Sequence, residues 1–131
     1  MKTLVDTSIW SYAFRSKKPE FKSQVDKLID IISNNNIVII GAIKQEILSG
    51  YSNMNLFNKL EKKMTAFENT TTLDEDYIQA AKFSNQCRIN GLQGSPVDFL
   101  ICAIAYRLKV EIFTAEKNFS HYQQHIPIEL L

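Results

Sequence analysis

The stretch Asn36-Ile37-Val38-Ile39-Ile40 places four β-branched apolar side chains in a row. Successive side chains of a strand point to opposite faces, so an unbroken apolar run belongs in a sheet covered on both sides. Sheets of that kind are mostly parallel, and each parallel connection needs a crossover, usually a helix. The rest of the chain supplies them. Residues 2–5 (KTLV) read as a short strand ending at Asp6, and TSIWSYAF then starts a helix with Thr7 or Ser8 as its cap. From Glu20 to Ile32, the residues Phe21, Val25, Leu28, Ile29 and Ile32 recur at helical spacing, and Asn34, Asn35 and Asn36 form the turn that follows.

After the apolar run, Gly41 leads into a helix carrying Ile43, Glu46 and Ile47 and ending near Gly50. Residues 53–67 (NMNLFNKLEKKMTAF) read as an amphipathic helix with Leu56, Leu60, Met64 and Phe67 on its apolar face. ENTTTL (68–73) reads as a short strand, followed by a helix from about Asp74 to Ile89. A loop with Gly91 and Gly94 precedes the helix of GSPVDFLICAIA; EIFT (111–114) is a strand, AEKNFSHY a short helical turn, and IPIELL a final edge strand. Strands alternating with helices imply an α/β fold with a central, mainly parallel sheet and helices on both faces. With no repeat, linker or low-complexity tract, residues 1–131 are expected to form a single domain.

Composition narrows the function. Fifteen basic and 14 acidic residues leave a formal charge of +1, so no global positive field draws the chain onto a polyanion. Any such binding must come from local patches. The two cysteines, Cys87 and Cys102, have no metal-site spacing and fall in apolar helices, with no signal-like segment before them. Buried thiols in a reducing cytosol are expected, and no apolar run has the length to span a bilayer.

In open parallel sheets, ligands bind beyond the carboxyl ends of the strands. Asp6 directly follows the first strand, Glu46 lies six residues after the second, and Glu116 two residues after EIFT. Asp98 sits in the first turn of its helix. Four carboxylates at element ends are therefore expected to share one rim. Such a group repels itself and stays ionised only beside a cation. A set of carboxylates without His or Cys suits a hard ion, Mg²⁺ or Mn²⁺, and points to phosphodiester hydrolysis. Each acid also has a plainer role. Asp6 is a suitable helix cap, Ser95-Pro96-Val97-Asp98 has capping-box spacing with Pro at the first helical position, Glu46 suits a solvated helix face, and Glu116 suits a positive helix end.

The order of LVDTSIW, a helical Glu46, RINGLQGSPVDFLICAIA and IFTAEKNF resembles the PIN domain, and more closely the VapC-type toxins of bacterial toxin–antitoxin pairs. The resemblance covers essentially the whole chain. It implies a three-layer α/β/α sandwich. It also implies an endoribonuclease that uses Mg²⁺ or Mn²⁺ bound by Asp6, Glu46, Asp98 and Glu116 and leaves a 5′-phosphate and a 3′-hydroxyl. Thr7, Ser8 and Thr114 would orient carboxylates and bound water, a homodimer is usual, and a small cognate antitoxin would hold it inactive in the cytoplasm. The family's last motif usually reads Thr-x-Asp-x-Asp-Phe, whereas here it is Thr114-Ala115-Glu116-Lys117-Asn118-Phe119. Glu116 keeps the charge with one more methylene, and Asn118 keeps an oxygen without charge. That departure leaves open an alternative, a catalytically weak PIN-fold module that binds RNA or a protein.

Other signals are less specific. Lys59, Lys62 and Lys63, with Arg15, Lys17 and Lys18, offer a basic rim for phosphates and equally a solvated surface. Arg88 is placed to reach the site from the glycine loop, or to form a surface ion pair. His121 and His125 lack a third metal ligand, and Trp10 reads as core or dimer surface. A phospho-acceptor signalling domain has similar length and topology, but needs a paired acid after strand one and a Lys after the last strand. Asp6 stands alone and IPIELL contains no Lys.

Overall fold

The computed structural model describes residues 1–15 and 17–131. Its element order is β1 (Thr3–Val5), α1 (Thr7–Arg15), a 3-10 turn (Pro19–Phe21), α2 (Lys22–Ser33), β2 (Ile37–Val38), α3 (Gly41–Ser49), α4 (Met54–Thr65), α5 (Asp74–Ile89), α6 (Pro96–Leu108), β3 (Glu111–Phe113) and α7 (Asn118–Tyr122). Among the described residues the sheet has three strands in the order β2-β1-β3, all parallel. Leu4 pairs with Val38 on one side and Ile112 on the other. β1 is thus the strand from which the chain first crosses to one side and later returns to the other. The end of β1 is a topological switch point, where open sheets bind ligands.

Leu4 and Val5 are consecutive in β1 and both fully buried, so both faces of the sheet are covered. Every residue of α6 from Phe99 to Ala105 is buried as well. A helix apolar all round sits inside a fold, not on its surface. Ser95 starts it, its Oγ accepting the Asp98 N–H at 3.1 Å, and Pro96 occupies the first turn. Lys109, in the left-handed conformation, ends it. Trp10 is core: it is 1% exposed, donates from Nε1 to the Val5 carbonyl at 3.2 Å, and meets Phe67 edge-on at 5.3 Å. Cys87 and Cys102 are free and buried, as expected. Among the described residues no helix is long and apolar enough to cross a membrane.

Two expected strands change. ENTTTL does not form one, because its backbone groups are taken singly. Thr70 N–H donates to the Ile39 carbonyl at 2.8 Å, but Arg107 takes the Thr71 carbonyl and Asp76 the Leu73 N–H. Its threonines suggest β structure, and side chains from α5 and α6 outcompete a ladder. IPIELL shrinks to one parallel bridge between Ile112 and Leu130. Pro127 has no N–H to offer, and the chain turns tightly around it as Ile128 N–H donates to the Ile126 carbonyl at 2.9 Å. β2 is likewise shorter than the apolar run, since Ile40 already precedes α3 as its cap residue.

Candidate active site

The β1 ladder ends by handing Asp6 to the rim. Its backbone N–H donates to the Phe113 carbonyl at 2.9 Å, and its residue is only 2% exposed. The carboxylate is held through Oδ2, which accepts from Ser8 Oγ and from Thr114 Oγ1, each at 2.8 Å. Those hydroxyls are themselves oriented. Ser8 Oγ accepts the Ala115 N–H at 3.1 Å and Thr114 Oγ1 the Glu116 N–H at 3.0 Å. Two backbone donors after β3 thus pass their polarity through two hydroxyls onto one acid. The cap reading of Asp6 survives weakly, with Ser8 N–H 3.4 Å from the same oxygen.

Thr7 serves a different acid. Its Oγ1 donates to Glu46 Oε1 at 2.6 Å, tying the start of α1 to α3. Asp98, in the first turn of α6, accepts at Oδ2 from the Tyr122 hydroxyl at 3.0 Å. The acids, with Thr7 and Ser8, line one open cleft of about 420 Å³ together with Ser11, Ala42, Gln45, Ser49 and Val97. Glu116 lines it from the loop after β3.

No lysine, arginine or histidine among the described residues lines this cleft, and the carboxyl groups respond accordingly. Burial pushes Glu46 above the usual carboxylate range; the Thr7 bond opposes this, and the charges of Asp6 and Asp98 add to it. Asp98 is raised by burial, against bonds from Tyr122 and Ser95, with Asp6 adding to the rise. Glu116 is raised by burial and then by Asp6, Asp98 and Glu46. The four acids therefore sense one another across the cleft. Their donor chemistry, several carboxylates and hydroxyls without a balancing base, fits a hard divalent cation. Among the described residues no three His, Cys, Asp or Glu side chains stand close enough together to hold a metal ion between them, so the fit rests on the chemistry of the donors lining the cleft.

Other expected positions fall elsewhere. Asn118 begins α7, is exposed, and does not line the cleft. Arg15 donates from Nη2 to the Gly50 carbonyl and lies 4.5 Å over the Tyr51 ring, which fastens α1 to the end of α3. Lys17 is exposed. Arg88 lines a neighbouring groove that shares Ala42, Gln45 and Val97 with the cleft, so it stands beside the site without entering it. Sequence reasoning missed Ser11, Gln45, Ser49 and Tyr122. The first three were legible as helical neighbours, Ser11 one turn after Thr7 and Gln45 and Ser49 on the Glu46 side of α3. Nothing local marks Tyr122.

Residues 3–124 match the family model of the PIN domain. No curated protein sequence matches the chain. Among solved structures, VapBC2 from Rickettsia felis, bound to a DNA fragment from its promoter, aligns with a TM-score of 0.78 at 18% identity, over 100% of this chain and 98% of that one. FitAcB from Neisseria gonorrhoeae aligns at 0.75 and 16% identity over 98% and 96%. DNA-bound VapBC from Salmonella typhimurium aligns at 0.75 and 13% identity over 100% and 97%. At these identities the likeness is one of fold.

Proposed function

The chain belongs to the PIN domain family, and from that premise we propose that it is a divalent-metal-dependent endoribonuclease of the VapC toxin type. The observation that carries the reading is the convergence of Asp6, Glu46, Asp98 and Glu116, from four different parts of the chain, on one cleft without a basic partner. Those four side chains would hold Mg²⁺ or Mn²⁺. Such an ion, when bound, neutralises phosphodiester charge and makes water more acidic at neutral pH.

The chain's own residues do the positioning. Ser8 and Thr114 fix the Asp6 carboxylate, Thr7 fixes Glu46, and Tyr122 bonds Asp98. The openness of the cleft suits an exposed single strand or loop of RNA. A duplex keeps its scissile phosphates on a stiff cylinder.

The structural neighbours include VapBC and FitAcB, and the fold shared with them supports restraint of this chain by a small cognate antitoxin. The family resemblance also makes a homodimer part of this reading. Light scattering of the purified chain tests the dimer, and a monomer at all concentrations rejects it.

The activity is tested with purified protein and a structured RNA, with and without a chelator, beside Asp6→Asn and Asp98→Asn. Cleavage that needs the divalent ion and both acids supports the nuclease. RNA binding without turnover under any divalent ion favours the binding module instead. Cleavage that survives chelation or either substitution removes the assignment.

A further inference from the structure

We infer that Tyr122 is a positioning residue for the cleft: its phenol hydroxyl sets the orientation in which Asp98 meets a divalent cation. The inference rests on the nuclease reading above. Within α6 the Asp98 carboxylate is met only by Ser95, three residues before it at the same helix end, so nothing in its own helix ties it to the opposite wall of the cleft. The Tyr122 hydroxyl supplies that tie by donating to Oδ2 at 3.0 Å from 24 residues away.

The hydroxyl is itself held in place from several sides. Tyr122 is 1% exposed, its ring tilted against Phe99 at 4.9 Å and edge-on to Phe119 at 5.5 Å. Gly94 completes the seat. A Cβ there would collide with the Tyr122 hydroxyl and lie 2.8 Å from its Cζ and 2.9 Å from Phe99 Cε2. The Gly94 position in the loop before α6 is therefore filled by the phenol end, which explains a glycine where φ does not require one. Residues 114–122 then reach two of the acids: Thr114 bonds the buried Asp6, and Tyr122 bonds the half-buried Asp98. One short segment after β3 orders the cleft from that side.

A phenol that merely needed a buried partner would change stability when removed, but not cation affinity. Partners that orient ligand side chains commonly account for 10–100-fold in metal affinity. The test measures Mn²⁺ binding by calorimetry, without RNA, together with thermal melting in chelator. Tyr122→Phe keeps the ring and its packing, and is expected to melt cooperatively while binding Mn²⁺ about tenfold more weakly. Gly94→Ala keeps the phenol but displaces it, and is expected to weaken Mn²⁺ binding in the same direction. Mn²⁺ affinity within twofold of the unaltered protein in either folded variant overturns the inference, whatever the melting temperature does. Failure of the unaltered protein to bind Mn²⁺ overturns the nuclease reading beneath it, and is visible without any substitution.

Discussion

Thr7 and Glu46 stand 39 residues apart and meet through a hydrogen bond of 2.6 Å that joins the first residue of α1 to the middle of α3. An exposed glutamate on a helix surface samples many rotamers, so this one contact decides where the Glu46 carboxylate points. Thr7→Val keeps the branched shape and deletes the donor. We expect RNA cleavage to fall by about tenfold at saturating Mn²⁺, as for other groups that orient metal-binding carboxylates. The melting temperature should change little, because the bond lies at the surface. Initial rates beside a melting curve decide it, and an unchanged rate would show that Glu46 needs no guide.

The acids of the cleft should destabilise the fold that carries them. Glu46, Asp98 and Glu116 all hold their protons to higher pH in the folded chain than in the unfolded one. The cost of ionising them is absent below the unfolded carboxylate range near pH ~4 and complete once pH passes their folded values. Asp98→Asn removes one such charge while its amide oxygen can still accept from Tyr122. In chelator, this variant should melt a few degrees above the unaltered protein at pH 7 and show no advantage near pH 4. Calorimetry across that range checks the sign. A variant less stable at pH 7 would mean that Asp98 contributes more to packing than its charge takes away.

Asp76 behaves in the opposite sense. Burial alone would raise it, but the Arg107 guanidinium at 2.8 and 2.9 Å and the Leu73 N–H outweigh that and hold it below its usual value. Its contribution is present above the unfolded value of ~3.9 and is lost as pH falls through the folded one. Asp76→Asn leaves the partly exposed Arg107 without its countercharge and should cost about 1–2 kcal/mol at neutral pH, shrinking in acid. Urea denaturation at pH 7 and below pH 4 measures both.

Asp6 and Glu116 were readable because they closely follow strand ends, Glu46 because it lies in the helix after the second strand, and Asp98 only because it opens its helix. All four line the cleft. Tyr122 was not readable. It occupies a short helix where Phe119 and Tyr122 recur like any apolar pair, and only the tertiary approach of α7 to α6 gives its hydroxyl a task. Arg15 has a role the sequence does not display, since its bond to the Gly50 carbonyl and its place over the Tyr51 ring depend on how α1 meets the end of α3. The threonines of ENTTTL carry strand propensity, but the fate of a carbonyl such as that of Thr71 is decided by Arg107 from another helix.

Trp10 anchors the motif that precedes the cleft. It is buried against Phe67 and bonded to the Val5 carbonyl, one residue before Asp6. Trp10→Ala should cost about 3–5 kcal/mol through the cavity and the lost bond. Trp10→Phe should recover most of the packing but leave the Val5 carbonyl short of a partner. Equilibrium unfolding of both variants tests this, and a loss under 1 kcal/mol for alanine would place Trp10 outside the core.

If the four acids form a cation-dependent centre for cutting RNA, cleavage must depend on both the ion and Asp6. Single-turnover cleavage of a single-stranded RNA, followed across a Mn²⁺ titration for the unaltered protein and Asp6→Asn, tests it most directly. The rate should rise and saturate with Mn²⁺ in the unaltered protein. In the variant it should be about 100-fold lower at every concentration, with the melting transition intact. Equal rates for the two proteins, or cleavage that persists in chelator, would contradict it.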